Sequence, residues 1–501
     1  MTTFKMSGSN TEIELGSGEA QRQLNLTQSY LQQKIPFNRD VWDEYSSPYK
    51  EYEFQIARVY GSGSTQYINH FNTDVIMVGD NVQDANPNKA FTLKYKYIGN
   101  YSYYNTIVSG RKAGINITAN GTSGKIINTV GKLYFNGSGY TSYDDIPMGG
   151  IAGALQIGNW EIYNDDDDSN INLTYGQNTI VAGNGNNKIY VPDENQTGNE
   201  YNIYSTHNGI NNITLGNGSN TIYVASGINF VKVGQGNNNI TIHASGLNRA
   251  NSDVMQHTII TGDGSNNISV YGHSSQMLLG NGDNKVSLTT GMLSRNPINN
   301  VIDSGTGHLD ISAAIGNVTI SAAGTTNING GDTAYDNMNF GSIDPYLNLT
   351  LNASGDDNVF HAGKGNTTLN AAHSNKAIDV SAANDKTSTL VAVTGRGDDT
   401  LTAGSGQSTF SGGLGDNLFA FTKENTNGGS TVIKDFSASS GNQIALFNYG
   451  LNRTSLKQLL NASQNDAQGN AILNLNTNTI TLQGVSVSEL NTNQFFVYNN
   501  K

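Results

Sequence analysis

The chain has 501 residues, of which 58 are glycine and only 13% are charged, and it carries a net charge of −13 and no cysteine. The lack of cysteine excludes a disulfide scaffold and thiolate metal sites. The acidic balance, without any basic cluster, argues against a nucleic-acid-binding protein, because nothing would neutralise a row of phosphates.

The first ten residues, Met1–Asn10, are polar and contain no apolar core of the kind that a cleaved signal peptide needs. No apolar run in the chain approaches the length of a membrane span. These features predict a protein without a membrane span. Such a protein is expected to be either cytosolic or exported by a pathway that recognises a different signal.

Residues 1–168 contain 15 of the 25 tyrosines. The segment Phe91–Tyr97 alternates like a half-buried strand, and Glu19–Gln33 is the one stretch that favours an amphipathic helix. We therefore predict a compact, tyrosine-rich, mainly β domain over 1–168. The four aspartates Asp165–Asp168 are typical of a solvated boundary.

Residues 169–421 repeat a nine-residue pattern. Two of its best copies start at 216 and 234, 18 residues apart, with a degenerate copy between them. A short period of this kind is typical of a solenoid. The clearest copies are Gly183–Val191, Gly216–Val224, Gly234–Ile242, Gly262–Val270 and Gly280–Leu288.

Each copy combines a turn with a short strand. We expect the Gly-x-Gly pair to adopt positive φ in a tight turn. In the strand that follows, Ile222 and Val224 point to one side and Tyr223 to the other, because side chains alternate. One copy is too small to fold alone, so stacked copies would bury the apolar positions and stabilise one another.

The last segment, 422–501, changes character and contains four further apolar runs. We interpret them as strands that cap the open end of the roll, which would otherwise expose an edge and a core. The predicted fold class is therefore all-β: a parallel β-roll or β-solenoid with a tyrosine-rich β N-terminal domain and a β C-terminal cap. The runs are Thr431–Phe436, Gly441–Leu446, Asn478–Val485 and Asn493–Val497.

These repeats resemble those of RTX proteins, whose nonapeptide is Gly-Gly-x-Gly-x-Asp-x-(apolar)-x. The resemblance covers roughly 170–500, and Asp435-Phe436 and Phe495–Val497 are similar to the C-terminal region of such proteins. It implies type I secretion through an uncleaved C-terminal signal. It also implies a location outside or on the surface of a Gram-negative bacterium, and is strongest for S-layer and adhesin members.

One departure from the RTX pattern changes the expected chemistry. The position of the calcium-binding aspartate is asparagine in most copies, and stacked asparagines can bond from turn to turn without an ion. We therefore predict a structural ladder formed by Asn187, Asn220, Asn238, Asn266, Asn284 and Asn417.

Calcium is still expected where aspartates remain, because it binds six to eight oxygens that usually include carboxylates. We predict that Ca²⁺ binds mainly within 355–421. The candidate metal ligands there are Asp356, Asp357, Asp398, Asp399 and Asp416, and Asp263 and Asp283 would form weaker sites.

The sequence lacks a His-Glu-x-x-His or Gly-x-Ser-x-Gly motif, so we predict no enzyme. The favoured function is a secreted, self-assembling structural protein, such as an S-layer, matrix-fibre or adhesin subunit. The alternatives are a secreted polysaccharide-acting enzyme and a carbohydrate- or ice-binding module. Expected partners are copies of the chain and cell-envelope polysaccharide.

The N-terminal tyrosines either build the β core or bind those partners, since tyrosine offers a rigid contact area with a polar tip. The candidate interface residues are Tyr101, Tyr103, Tyr104, Tyr140 and Tyr143.

Overall fold

The computed structural model describes most of the repeat region and parts of the N-terminal segment. Contacts divide the chain into two compact units: Met1–Asn251 with Met255–Asn267, and Ser252–Val254 with Ile268–Lys501. The residues that the structure describes are 3–5, 12–14, 19–34, 56–58, 65–68, 75–78, 89–95, 104–119, 123–137, 159–173, 177–191, 210–225, 228–243, 256–272, 274–289, 298–313, 316–330, 346–437, 441–476 and 478–500.

The first unit contains a short antiparallel pair, one helix and a long series of parallel strands. Its elements are β1 (Thr3–Lys5), β2 (Glu12–Glu14), α1 (Glu19–Lys34), β3 (Ile56–Arg58), β4 (Thr65–Ile68), β5 (Val75–Val78), β6 (Phe91–Tyr95), β7 (Tyr104–Ser109), β8 (Ile115–Thr118), β9 (Ser123–Asn128), β10 (Leu133–Asn136), β11 (Trp160–Asn164), β12 (Ser169–Asn172), β13 (Gln177–Ala182), β14 (Lys188–Val191), β15 (Ile210–Leu215), β16 (Thr221–Ala225), β17 (Ile228–Lys232), β18 (Asn239–His243) and β19 (Gln256–Ile260). The strand β20 (Asn266–Tyr271) contains the division between the units.

The second unit continues the alternation and ends in a different arrangement. Its elements are β21 (Ser274–Leu279), β22 (Asn284–Thr289), β23 (Asn299–Ser304), β24 (Leu309–Ala313), β25 (Gly316–Ala322), β26 (Thr326–Gly330), β27 (Tyr346–Ala353), β28 (Asn358–His361), β29 (Asn366–Asn370), β30 (Ile378–Ser381), β31 (Thr389–Val393), β32 (Thr400–Thr402), β33 (Gln407–Ser411), β34 (Leu418–Thr422), β35 (Ser430–Ile433), β36 (Gln443–Phe447), α2 (Arg453–Ala462), β37 (Gln464–Asn465), β38 (Ala471–Leu475), β39 (Asn478–Leu482), two 3-10 helices (Val487–Glu489 and Thr492–Gln494) and β40 (Phe495–Tyr498).

In each unit the strands form two parallel sheets. Odd-numbered strands pair with odd-numbered strands, and even-numbered with even-numbered; we call these the odd sheet and the even sheet. Ile222 pairs with Ile189 and Ile240, and Val224 pairs with Val191 and Ile242. Like residues therefore stack, as expected when an apolar position recurs once per turn. The prediction of a parallel β-solenoid is confirmed.

The core of each unit consists of the inward side chains. Ile222 and Val224 are buried, whereas Tyr223 on the opposite face is partly exposed, as the alternation of the strand predicts. The predicted helix is also confirmed, since α1 covers Glu19–Gln33. The predicted domain boundary at residue 168 lies within the even sheet of the first unit, where Leu133 of β10 pairs with Ser169 of β12.

The turn glycines are required for a different reason from the one predicted. Gly218 and Gly236 do not have positive φ, as Gly413 and Gly415 do in a later repeat. Instead, a Cβ atom on Gly218 would collide with the carbonyl oxygen of Gly185, and one on Gly236 with that of Gly218. Glycine is needed there because the backbones of successive turns approach closely.

The predicted C-terminal strands are present in the second unit. The odd sheet ends when β39 pairs with β35 in parallel and with β38 in antiparallel orientation, and β38 then pairs with β37. The even sheet ends with β40 beside β36. The helix α2, capped by the side chain of Asn452, buries Leu456 and Leu460 and was not predicted.

Candidate functional site

Buried asparagines form a continuous hydrogen-bonded ladder in the first unit. The Nδ2 atom of Asn187 donates to Oδ1 of Asn220 (2.9 Å), Asn220 donates to Asn238 (2.8 Å), and Asn238 donates to Asn266 (2.8 Å). All four side chains are buried. These are the predicted ladder residues of this unit, and the ladder is confirmed.

Each rung of this ladder is also tied to its own turn. The Nδ2 atom of Asn220 donates to the carbonyl oxygen of Gly218 (2.7 Å), and its Oδ1 accepts from the backbone N–H of Asn187 (3.2 Å). A buried polar group that lacks a partner costs about 1–3 kcal/mol, so complete pairing matters. The amide group supplies two donors and an acceptor, so one asparagine can bond to its own turn and to both neighbouring turns.

A second buried ladder lies at the start of the odd-sheet strands and was missed in the sequence. Asn178 donates to Asn211 (2.9 Å), Asn211 donates to Asn229 (2.8 Å), and Nδ1 of His257 lies 3.3 Å from both the backbone nitrogen and Nδ2 of Asn229. All four are buried. The shared pattern of a polar residue two positions before Ile or Val marks both ladders in the sequence.

The ladder of the second unit uses more varied side chains. Asn284 donates to the carbonyl oxygen of Gly282 (2.7 Å), and Oδ1 of Asn417 accepts from the backbone N–H of Asp399 (2.9 Å). Asn358 and Asn442 add rungs that were not predicted: they accept from the Thr326 hydroxyl (2.9 Å) and from the Asn417 backbone N–H (3.0 Å). Asn284 and Asn417 are both buried as predicted, and Asn417 bonds to the neighbouring turn, whereas Asn284 lies opposite Leu309 in the next turn.

Asp399 occupies one of these ladder positions. Its Oδ1 accepts from the backbone N–H of Ile378 (2.8 Å), as the asparagine rungs do, but its Oδ2 has no hydrogen-bond partner among the described residues. Thr394 lies nearby, yet its single hydroxyl proton donates to the carbonyl oxygen of Gly412, 3.0 Å away. Burial raises the pKa of Asp399 to about 6.

Three other predicted calcium ligands within 355–421, Asp356, Asp398 and Asp416, are exposed. Asp356 forms an ion pair with Lys376 (2.9 Å), and Oδ1 of Asp398 accepts from the backbone N–H of Asp416 (2.8 Å). Among the described residues no group of three or more His, Cys, Asp or Glu side chains is arranged to hold a metal ion. Calcium binding therefore stays a prediction.

The remaining predicted metal ligands also lie in exposed turns. Asp357 has a positive φ of 57°, and Oδ1 of Asp283 accepts from the backbone N–H of His308 (3.1 Å). Asp263 is exposed in a turn of the first unit. The structure brings none of these three into a shared metal site with other acidic side chains in the part that it describes.

The aspartate run Asp165–Asp168, which the sequence indicated as a solvated boundary, forms the turn between β11 and β12, and Asp166 and Asp167 are exposed there. Asp166 accepts from the backbone and side-chain nitrogens of Asn184 (3.0 and 2.9 Å), and Asp168 pairs with Lys132 (2.8 Å). Asp165 is buried, and burial raises its pKa to about 7.

The predicted tyrosine interface cannot be located, because Tyr101, Tyr103, Tyr140 and Tyr143 lie outside the described residues and Tyr104 is described only as backbone in β7. On the outer face of the even sheet in the first unit, Tyr190 stacks on Tyr223, with ring centroids 5.1 Å apart, and Tyr223 stacks on His243, with centroids 6.5 Å apart. Tyr190 pairs with Tyr223 in adjacent strands.

Comparison with protein-family models, curated proteins and solved structures found no match to this chain. Neither helix in the described part of the chain is both long and apolar enough to cross a lipid bilayer.

Proposed function

We propose that this chain is a secreted, self-assembling structural protein of the bacterial cell surface or extracellular matrix. The ladders support this role because buried amides bond from turn to turn within the fold, which suits a protein that must stay folded outside the cell without disulfides. RTX membership, type I secretion and calcium binding within 355–421 are parts of the proposal that rest on the sequence resemblance.

The observation that carries the proposal is the edge of the even sheet in the second unit. Within the described residues β40 pairs only with β36, so its other edge offers unpaired backbone groups. Such an edge is a template for another strand unless charges, proline or a bulge protect it. The strand reads Phe-Phe-Val-Tyr and contains neither charge nor proline.

An aromatic cluster lies beside this edge. Phe496 and Tyr498 are 51% and 52% exposed, and Phe447 contacts both, with ring centroids 6.3 and 6.4 Å apart. Exposed aromatic side chains next to an open edge favour association, because cross-strand aromatic pairs add stability to the new backbone hydrogen bonds. We infer that a second copy pairs with β40.

The test compares the wild-type chain with Phe496→Lys/Tyr498→Lys by light scattering and negative-stain electron microscopy, with and without calcium. We expect wild-type assemblies and a monodisperse variant. The matched control is Leu414→Lys, because Leu414 is a 63% exposed turn residue away from the edge. A wild type that stays monomeric overturns the function, whereas assembly of the double variant overturns only the edge.

A second candidate function, binding of a neutral polysaccharide, is favoured by the outer face of the odd sheet in the second unit. Asn317 donates to Asn299 (2.7 Å) and Asn348 donates to Asn317 (3.0 Å), which forms an exposed amide column. A neighbouring column includes Val301, Thr319, Thr350 and Asn370, none of which is charged. Loss of polysaccharide pull-down in Thr319→Lys/Thr350→Lys, with assembly unchanged, would favour this candidate.

A further inference from the structure

The helix α1 lies on the outer face of the odd sheet in the first unit. It contacts β9, β11 and β13, and its residues Ala20 and Leu24 are buried. The Oε1 atom of Gln23 accepts from Nζ of Lys125 (2.7 Å), which lies 102 positions later in the chain. The helix thus covers sheet residues that include Tyr163, which is only 8% exposed.

The N-terminal turn of α1 meets a buried carboxyl group. The backbone N–H of Ala20 donates to the side chain of Asp165, which is 6% exposed. The Oδ2 atom of Asp165 has no hydrogen-bond partner among the described residues. A buried carboxylate with an unpaired oxygen is costly when it is ionised, and much less so when it carries a proton.

The surroundings keep this carboxyl group difficult to ionise. Burial and, to a smaller extent, the adjacent carboxylates of Asp166 and Asp167 together raise the pKa of Asp165 to about 7, whereas the Ala20 N–H acts in the opposite direction. The strand β13 contributes no titratable residue. The other titratable or charged groups near this face are Glu19 and Arg22 on α1, Lys125 on β9, and Glu161 and Tyr163 on β11.

Two of these neighbours do not titrate near neutral pH. The hydrogen bond from Arg22 holds the pKa of Glu19 below its usual range, and burial raises the pKa of Tyr163 to about 12. Asp165 is therefore the group around α1 whose raised pKa falls near neutrality.

We propose that Asp165 is a proton-operated latch that holds α1 on the odd sheet when protonated and releases it when ionised. The pKa is higher in the docked state than in the released state, where the carboxyl group regains water, so docking is strongest below the released-state pKa. Docking weakens about tenfold per pH unit as the pH rises from there to about 7. Release uncovers Tyr163 on the sheet that also presents the exposed residues Ile210 and Ile228.

The experiment uses the full chain with a single label. Because the chain has no cysteine, Leu26→Cys on the exposed side of α1 provides a unique site for an environment-sensitive fluorophore. We expect label mobility, measured by anisotropy, to rise between pH 5 and 8. Asp165→Asn should abolish this dependence, because the amide keeps the acceptor for Ala20 and cannot ionise.

Two further variants keep the test decisive. Lys188→Gln removes an exposed charge from β14 on the even sheet of the same unit and should retain the wild-type pH profile. Leu24→Ala weakens docking at every pH, so a tenfold weakening should move the midpoint about one unit lower within the window. An unchanged pH profile in folded Asp165→Asn overturns the latch, as does a label that is equally mobile at pH 5 and 8.

Discussion

Replacement of Asn220 by leucine should destabilise the first unit far more than its small change in volume suggests. The substitution removes the side-chain donor to Gly218 and the acceptor of the Asn187 backbone N–H. The buried N–H of Asn187 and the part-buried carbonyl of Gly218 lose their side-chain partner, whereas Asn187 Nδ2 keeps the carbonyl oxygen of Gly185 (2.7 Å). At about 1–3 kcal/mol for each orphaned group, the expected loss is roughly 2–6 kcal/mol in the free energy of unfolding.

Trp160 provides the assay, because it is a buried residue of the same unit. Urea unfolding would be followed by tryptophan fluorescence for the wild type, Asn220→Leu and the control Asn212→Leu. Asn212 lies on the exposed face of β15, so its replacement should change stability by no more than about 0.5 kcal/mol. Equal stability of the two variants would refute the conclusion that the ladder stabilises the unit.

Two other predictions concern Asp399 and His257, which occupy ladder positions in place of asparagine. Asp399→Asn should stabilise the second unit at pH 7.5 by up to about 3 kcal/mol, because the raised pKa of Asp399 makes its contribution to stability fall as the pH rises from about 4 to about 6. Calorimetry in chelator at about pH 4 and at pH 7.5 checks this. A variant that loses as much stability as the wild type between these pH values would contradict it. If Asp399 binds calcium, the ion should then stabilise only the wild type. His257→Leu should lower the free energy of unfolding of the first unit by about 1–3 kcal/mol, because the backbone N–H of Asn229 loses its acceptor. His257→Asn should lower it less in thermal unfolding. A larger loss in His257→Asn than in His257→Leu would show that His257 acts only by packing.

The solenoid could be predicted from the sequence because the pattern that specifies each repeat is local. Ile222 and Val224 recur at fixed positions of a nine-residue unit, and alternation along one strand is enough to decide which side chains face inward. The ladder at Asn187 and Asn220 follows from the same period, because identical positions stack when turns stack. The helix α1 was also visible as a local pattern.

The second ladder was within reach of the sequence but was obscured by its variety. Asn178, Asn211 and Asn229 precede apolar residues by the same spacing as the first ladder, yet their turns lack the Gly-x-Gly mark. At His257 the same ladder position is occupied by a different side chain. The hydrogen bonds and the burial of these side chains identify them as a ladder.

The sequence by itself therefore determined the repeating unit of the solenoid: its strands, its inward apolar residues and most of its amide ladder. The tertiary structure decided the features that depend on contacts between distant or successive turns. It showed that Gly218 is required by the carbonyl of the preceding turn rather than by positive φ, and it placed Asp165 under the N-terminus of α1. A local period specifies one repeat. Only the folded chain brings α1 into contact with a turn far away in the sequence, and this contact sets the pKa of the Asp165 carboxyl group between them.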